Sequence, residues 1–316
     1  MIILRERKNN NLFLLKNNKN EVLKDKKIHD YVKSLVIPPA YTNVKIFMVD
    51  KPKILFEGYD AKGRKQQIYS PQWRGKKNKE KMQALLSFGK SLPKIQGDVN
   101  KYINNKKVTK KKLISLILHI ISICYFRVGN IKYQKLYGSY GISNIKVSHV
   151  SMLKDIMRIR FIGKKGVDNR CDIIDKRIIN ELISLIKTKK KNDKLFTYKK
   201  DGELKEIKAT DINTFLKTYD SNFTSKMFRT FDTNILLIRY LRTLNLPKSY
   251  TPSQRKKNLN NAMKYVSELI HNTPAVCKKE YAHQGILQLY LDHPRKFKTL
   301  FINNLSERVA FLKFLS

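Results

Sequence analysis

The sequence predicts an α+β protein in two parts: a small β-rich N-terminal domain over residues 1–76 and a mostly α-helical domain over 77–316 that carries a β-hairpin. Three observations predict this. Up to about position 75 the apolar residues recur in short runs between polar turns; beyond it they recur at helical spacing; one later segment returns to strict alternation. In the first part, Asn11–Leu15 and Glu21–Leu23 flank the loop Lys16-Asn17-Asn18-Lys19-Asn20, and Val44–Val49, Ile54–Gly58 and Gln66–Tyr69 follow as strands. Gly63 and the Pro38-Pro39 pair punctuate them. The cationic run Arg74-Gly75-Lys76-Lys77-Asn78-Lys79 reads as a linker over 74–81, either solvated or lying along an anionic partner. Helical spacing then links Met82, Leu85, Leu86 and Leu92, the apolar stretch 113–126, Phe228 through Leu241, and Leu259 through Leu269. Between them, Met157, Ile159 and Phe161 alternate with Arg158, Arg160 and Ile162 ahead of Gly163-Lys164-Lys165-Gly166 and a second alternating run through Cys171 and Ile173. This is a hairpin with a glycine-flanked cationic tip.

Charge narrows the function. Lys+Arg number 66 against 25 Asp+Glu in 316 residues, a formal net charge of +41. With 41% apolar residues the chain is too apolar for a disordered polycation, so a folded protein of this charge calls for an anionic partner. Nucleic acid leads, because a duplex carries about one charge per 1.7 Å and Lys/Arg binding releases its counterions. A membrane is disfavoured: Leu113 to Phe126 is only 14 residues long and contains Ser115, His119 and Ser122. No signal-peptide core precedes Arg5. Cys124, Cys171 and Cys277 are far apart and odd in number, which predicts neither a disulfide framework nor a thiolate zinc site, and a reducing compartment. Lys, Asn and Ile are all favoured by AT-rich codons, so the fifteen Arg are the more informative cations.

The motifs for ATP, dinucleotide and zinc-protease chemistry are missing, and the acids form no converging set of the kind two-metal catalysis needs. No cofactor and no metal are expected. Arg127, in Phe126-Arg127-Val128-Gly129, reads either as a cation at the end of an apolar helix or as an anion clamp. Arg229 sits in the first turns of a 225–244 helix, where the dipole disfavours cations and welcomes phosphate, and Lys226 shares its face. Lys164 at the hairpin tip is a solvated lysine unless an oxygen leaving group faces it, when it becomes a general acid. Thr273-Pro274 is a helix start that places Tyr281 two turns in, on a face with Cys277 and Lys278. A helix tyrosine is ordinarily a boundary residue; neighbouring cations that stabilise the phenolate make it a nucleophile.

Order joins these signals. Phe126-Arg127-Val128-Gly129, then Phe161-Ile162-Gly163-Lys164-Lys165-Gly166, then Lys226-Met227-Phe228-Arg229-Thr230, then Asn272-Thr273-Pro274 through Tyr281 resemble the catalytic motifs of the small type IB DNA topoisomerases of poxviruses, other large DNA viruses and some bacteria. In the first part, Ile37-Pro38-Pro39-Ala40-Tyr41-Thr42-Asn43-Val44, Tyr59 through Gln66 and Tyr69 through Arg74 look like the β-domain of that family. The resemblance covers nearly the whole chain. It implies the fold shared with tyrosine recombinases and an ATP- and metal-independent relaxation of supercoiled DNA. In that reaction Tyr281 attacks a phosphodiester, Arg127 and Arg229 clamp its nonbridging oxygens, Lys164 protonates the departing 5′-oxygen and Lys226 adds positive potential.

Those poxvirus enzymes carry His where this chain has Asn272, nine residues before the tyrosine; Thr273-Pro274 fixes the register, so the resemblance gives Asn272 the oxyanion contact and leaves His271 a bystander. It further implies DNA contacts by Gln66, Gln67, Tyr69, Lys132 and Tyr133, with Gln67 standing where the family often has an aromatic residue. The partner is double-stranded DNA, not a membrane, held by a monomeric C-shaped clamp of two domains in an infected cell, a virion or a bacterial cytoplasm. Two rivals are a tyrosine recombinase, which usually has His where Lys226 stands, and a non-enzymatic architectural DNA-binding protein.

Overall fold

The computed structural model describes residues 1–9, 12–244, 251–302 and 304–316, and its chain divides into two compact units, Met1–Met82 and Gln83–Ser316. In the first, strands β1 (Ile2–Asn9), β2 (Leu12–Lys16), β3 (Thr42–Phe47), β4 (Ile54–Tyr59) and β5 (Lys65–Tyr69) form one antiparallel sheet in the order β2-β1-β3-β4-β5. Helix α1 (Lys26–Ser34) lies between β2 and β3 in the chain, capped by Asp25, whose carboxylate accepts from the Lys27 amide at 2.7 Å. Ile28 packs with Ile3, Leu15, Val44, Ile46 and Phe56 into the core of this unit.

Three expectations change here. The strand β1 escapes the reading of the first ten residues because its charged end, Arg5-Glu6-Arg7, hides the alternation. It is secured across the sheet, where Glu6 lies opposite Leu14 and pairs with Lys16. The run Glu21–Leu23 is not a strand; Val22 makes only an isolated bridge to Lys16, and Asn11 lies outside the described residues. The linker expected over 74–81 is helical. Helix α2 (Pro71–Ile103) opens on Ser70, whose hydroxyl accepts from the Trp73 amide at 3.3 Å, and runs through the cationic segment because Lys, Arg, Gln and Glu are good helix formers. The boundary between the two units at Met82/Gln83 therefore falls within α2, and the division at 76/77 stands as a proposal.

The second unit is built on α3 (Lys110–Cys124), nearly every residue of which is buried from Lys112 to Ile121. Thr109 caps its start and left-handed Tyr125 (φ 55°) ends it. After α4 (Ile131–Tyr137), strands β6 (Val150–Leu153), β7 (Ile156–Ile162) and β8 (Asp168–Ile173) form a three-stranded antiparallel sheet in chain order. The expected hairpin is β7–β8, and β6 is an addition to it. Helix α5 (Lys176–Lys187), the hairpin β9 (Thr197–Lys200) and β10 (Glu203–Glu206), and α6 (Ala209–Lys217) lead to α7 (Lys226–Thr243). Helices α8 (Pro252–Leu269), α9 (Pro274–Glu280), α10 (Gln284–Asp292), α11 (Pro294–Phe301) and α12 (Glu307–Leu315) complete the unit. Helix α3 packs on α6, α7, β8 and β9, while α7 packs on α8 and α12.

Two further corrections concern side chains. Cys124 and Cys171 form a disulfide that joins the end of α3 to β8, leaving Cys277 as the free, buried thiol. Sequence separation, here 47 residues, says nothing about spatial distance, which the β7–β8 hairpin makes short by folding back against α3. The reducing compartment inferred from unpaired cysteines loses that support. The apolar helix also stops at Cys124, so Arg127 stands three residues past its end rather than on it and is not a dipole-complementing cation.

Candidate active site

Arg127 is set by a backbone clasp. After Tyr125 the chain leaves the helix, and the Arg127 and Val128 carbonyls accept from the Ile142 and Ser143 amides at 2.9 and 2.7 Å. That approach needs glycine at Gly129, which has φ +112° and where a Cβ would stand 2.4 Å from the Asn144 side-chain Oδ1. The half-buried guanidinium of Arg127 then donates to the His271 carbonyl at 3.1 Å.

Arg229, on the second turn of α7, is 2% exposed. Its guanidinium donates to the Tyr125 carbonyl and, at 2.6 Å, to the Ile270 carbonyl, while Nε is buried without a partner. Burial, then the nearby Arg127 charge, pull its pKa down to about 10, which leaves it a cation at neutral pH. Tyr281 caps the C-terminal end of the seven-residue helix α9, whose start Thr273 caps through the Val276 amide. It lies at the helix end, not within the helix as its spacing suggested, and it is 8% exposed. Arg229 lies 5.3 Å and Lys226 5.6 Å from the centre of its ring. Burial alone would raise the phenol; Arg229 by charge, then Arg127, then a hydrogen bond from Arg229 and the charge of Lys226, more than offset it. The pKa ends below that of an ordinary tyrosine. A buried phenol made easier to ionise by three cations is the condition for a nucleophile.

One residue that sequence reasoning passed over holds this tyrosine. Asn234 on α7 is fully buried; its Nδ2 donates to the Tyr281 carbonyl at 3.1 Å and its Oδ1 accepts from the His283 amide at 2.7 Å. A polar residue at the core-facing position of a helix is the signal that could have found it.

Arg127, Lys164, Lys226, Arg229 and Tyr281 line one cavity of about 390 Å³, with Tyr133, Asn130, Ser139, Tyr140 and Ser225 around them. Lys164 is exposed at the β7–β8 tip, where the neighbouring Lys165 and Gly166 take left-handed backbone, and its ammonium stands 5.9 Å from the Tyr133 ring. Among the other expected residues, Lys132 is exposed in the first turn of α4 and is not in the cavity wall. Asn272 is likewise outside that wall; its Oδ1 accepts from the Thr273 amide at 3.2 Å, and its Nδ2 is buried without a partner. His271 is tied into the protein interior. Its Nε2 meets the Cys124 carbonyl at 3.1 Å, its ring packs on Phe126, and burial pushes its pKa down to about 4, so it is neutral.

Gln66, Gln67 and Tyr69 belong to the first unit and are tied by polar contacts there. Gln66 donates to Asp60 at 2.9 Å, Gln67 donates to Glu57 at 3.0 Å, and the Tyr69 hydroxyl donates to Gln67 at 2.9 Å. Tyr69 also stacks on Trp73 at 4.4 Å, and Lys53 and Lys77 lie over the Trp73 ring. This is a cationic, aromatic surface of the kind nucleic acid takes. Among the described residues no helix is long and apolar enough to cross a membrane.

Comparison with known proteins agrees with the family resemblance. Residues 70–303 match the family model of the eukaryotic DNA topoisomerase I catalytic core. A DNA topoisomerase 1B of Acanthamoeba polyphaga mimivirus is 33% identical over 88% of this chain and 84% of its own length. DNA topoisomerase 1B of vaccinia virus (strain Copenhagen) is 24% identical over 90% of this chain and 89% of its own. DNA topoisomerase 1 beta of Arabidopsis thaliana is 26% identical over 52% of this chain but only 17% of its own length. With the family model spanning most of the chain and a viral relative matched almost end to end, the protein belongs to the type IB DNA topoisomerase family.

Proposed function

We propose that this type IB topoisomerase relaxes supercoiled double-stranded DNA through Tyr281, and that the cavity around Tyr281 is where one strand is cut and resealed. The Tyr281 phenol gives its proton to solvent, and the phenolate oxygen attacks the phosphorus of a backbone phosphodiester; the bond to the 5′-oxygen breaks; a 3′-phosphotyrosyl link and a free 5′-hydroxyl result. Arg127 and Arg229 take the nonbridging oxygens and oppose the charge that builds on them, in a site already walled by protein. Lys164 gives its proton to the departing 5′-oxygen, and Lys226 keeps the phenol ionisable. Rotation of the free end lowers the supercoil, and the reverse attack by the 5′-hydroxyl restores the strand. One ester replaces another, so the cycle needs neither ATP nor metal. The observation that carries this reading is a buried tyrosine whose ring centre lies 5.3 Å from Arg229 and 5.6 Å from Lys226, lining one cavity with Arg127 and Lys164. Relaxation of a supercoiled plasmid in EDTA without ATP, with a covalent protein–DNA adduct after denaturation, is the expected result. Binding without relaxation would favour the architectural rival.

Asn272 serves as a further donor to a phosphoryl oxygen, supported by its orphaned Nδ2. Asn272→Ala is expected to slow single-turnover cleavage by about 10²-fold, the scale of one lost oxyanion donor, while His271→Ala loses thermal stability and keeps cleavage within roughly tenfold. The reverse pattern assigns the contact to His271. Gln66, Gln67, Tyr69, Lys132 and Tyr133 are proposed DNA contacts. A monomer closing on the duplex, in an infected cell, a virion or a bacterial cytoplasm, completes the proposal; DNA-dependent protection of residues 70–82 from protease tests the closure.

A further inference from the structure

The Cys124–Cys171 disulfide joins the two segments that carry Arg127 and Lys164. Cys124 is the last residue of α3, and the backbone it begins goes directly into the site. Its carbonyl meets His271 Nε2, the next carbonyl is held by Arg229, and Arg127 follows two residues later. Cys171 lies on β8 opposite Ile159, and the register continues through Arg160↔Arg170, Phe161↔Asn169 and Ile162↔Asp168 to the tip that bears Lys164. Two noncovalent ties run beside the bond: Phe126 against Phe161 at 4.9 Å between ring centres, and the Tyr140 amide donating to the Ile162 carbonyl at 2.9 Å. Beyond them the tip is exposed, and the Lys164 ammonium approaches the Tyr133 ring at 5.9 Å. In the cross-linked protein Lys164 nonetheless lines the same cavity as Arg127 and Tyr281.

We propose that Cys124 and Cys171 are positioning residues: their bond holds the Lys164 hairpin in register with the Arg127 segment, so cleavage is fastest in the oxidised protein and slows when the bond is reduced. This rests on the reading of Lys164 and Arg127 as catalytic groups. A few tenths of an ångström to one ångström of freedom at a proton donor is enough to cost a large factor in rate. The bond is within reach of small reagents. Cys171 is half-buried, and an open cavity of about 320 Å³ is lined by both cysteines with Arg170, Tyr265 and Glu268. Attack by the thiolate of a small dithiol on one sulfur gives a mixed disulfide; the second thiolate closes the reagent into a cyclic disulfide. Two electrons and two protons end on Cys124 and Cys171 as thiols. A low-molecular-weight disulfide reverses the exchange and leaves as two thiols. Cys277 takes no part, since it is wholly buried and burial pushes its thiol up to about 11.

The test uses the full chain after treatment with glutathione disulfide and after dithiothreitol, with free thiols counted in denaturant and single-turnover cleavage of a duplex measured beside duplex affinity. The expected outcome is one free thiol before reduction and three after, cleavage about tenfold slower after reduction, and unchanged affinity. Cys171→Ser should cleave slowly with or without dithiothreitol. If that variant folds poorly, hydrogen exchange of residues 163–168 in the wild type, faster after reduction, provides the second measurement. Three thiols before reduction, or equal cleavage rates and equal exchange in the two states, overturn the proposal. Lys164→Ala separates it from its premise. Wild-type cleavage by that variant overturns the catalytic reading of Lys164, whereas a slow Lys164→Ala beside a wild type indifferent to dithiothreitol overturns the role of the disulfide alone.

Discussion

Tyr281→Phe is expected to eliminate the covalent protein–DNA adduct and to lower plasmid relaxation by on the order of 10⁴-fold or more, the scale on which loss of a nucleophile is felt, while duplex affinity stays within about twofold. Only the hydroxyl is removed, and the ring keeps its place beneath Arg229 and Lys226. The backbone stays gripped by Asn234. Stability should therefore change little, or fall slightly, because Arg229 loses the phenol oxygen as a hydrogen-bond acceptor. The measurements are relaxation in EDTA, adduct formation on a labelled duplex, and the melting temperature of the two proteins. Relaxation by the Phe variant at wild-type rate would falsify the phosphotyrosyl mechanism.

Replacement of Arg229 has the second largest effect and a different signature. Arg229→Ala is expected to slow cleavage by about 10²–10³-fold, as removal of one preorganised donor does, and also to destabilise the fold. The buried Ile270 carbonyl loses its donor, at about 1–3 kcal/mol for a group left unsatisfied, and the part-buried Tyr125 carbonyl loses its donor at a smaller cost because water can reach it. The phenol of Tyr281 loses its strongest electrostatic support at the same time, so its pKa moves up. Arg229→Lys discriminates between charge and geometry. An ammonium keeps the charge but cannot span two carbonyls and still face the phenol, so the Lys variant should recover stability only partly and remain about 10²-fold slow. Cleavage by Arg229→Lys near the wild-type rate would mean that a point charge suffices there.

Much of the site was legible in the sequence because its residues come in short, chemically distinctive runs. Arg127 was readable because a cation beside the apolar stretch 113–126 calls for an anion, and Lys164 because alternation brackets the tip it stands on. Asn234 was not, because its side chain acts on backbone atoms 47 and 49 residues away, and no local pattern marks such a contact. The same blindness applies to the disulfide, whose partners are close only after β7 and β8 fold back. In the first unit, β3, β4 and β5 followed from their alternation, but β1 was masked by Arg5-Glu6-Arg7. For the segment 74–79, charge was taken as a sign of solvation and connection. Its residues have high helix propensity, and with Pro71 at the first position that propensity decided the structure.

The Asn234 grip has a mechanical side. If Tyr281 carries the cut strand as proposed, then during rotation a single ester bond joins the DNA to the protein, and any pull on that strand enters the chain at the tyrosine's backbone. That backbone ends a two-turn helix which, taken alone, would fray under load. Asn234 spreads the pull into the 18-residue α7 through a donor on the Tyr281 carbonyl and an acceptor on the His283 amide, one on either side of Ala282. On the proposed mechanism the same helix presents Lys226 and Arg229, so the phosphorus and the cations around it move together and stay aligned for attack by the returning 5′-hydroxyl.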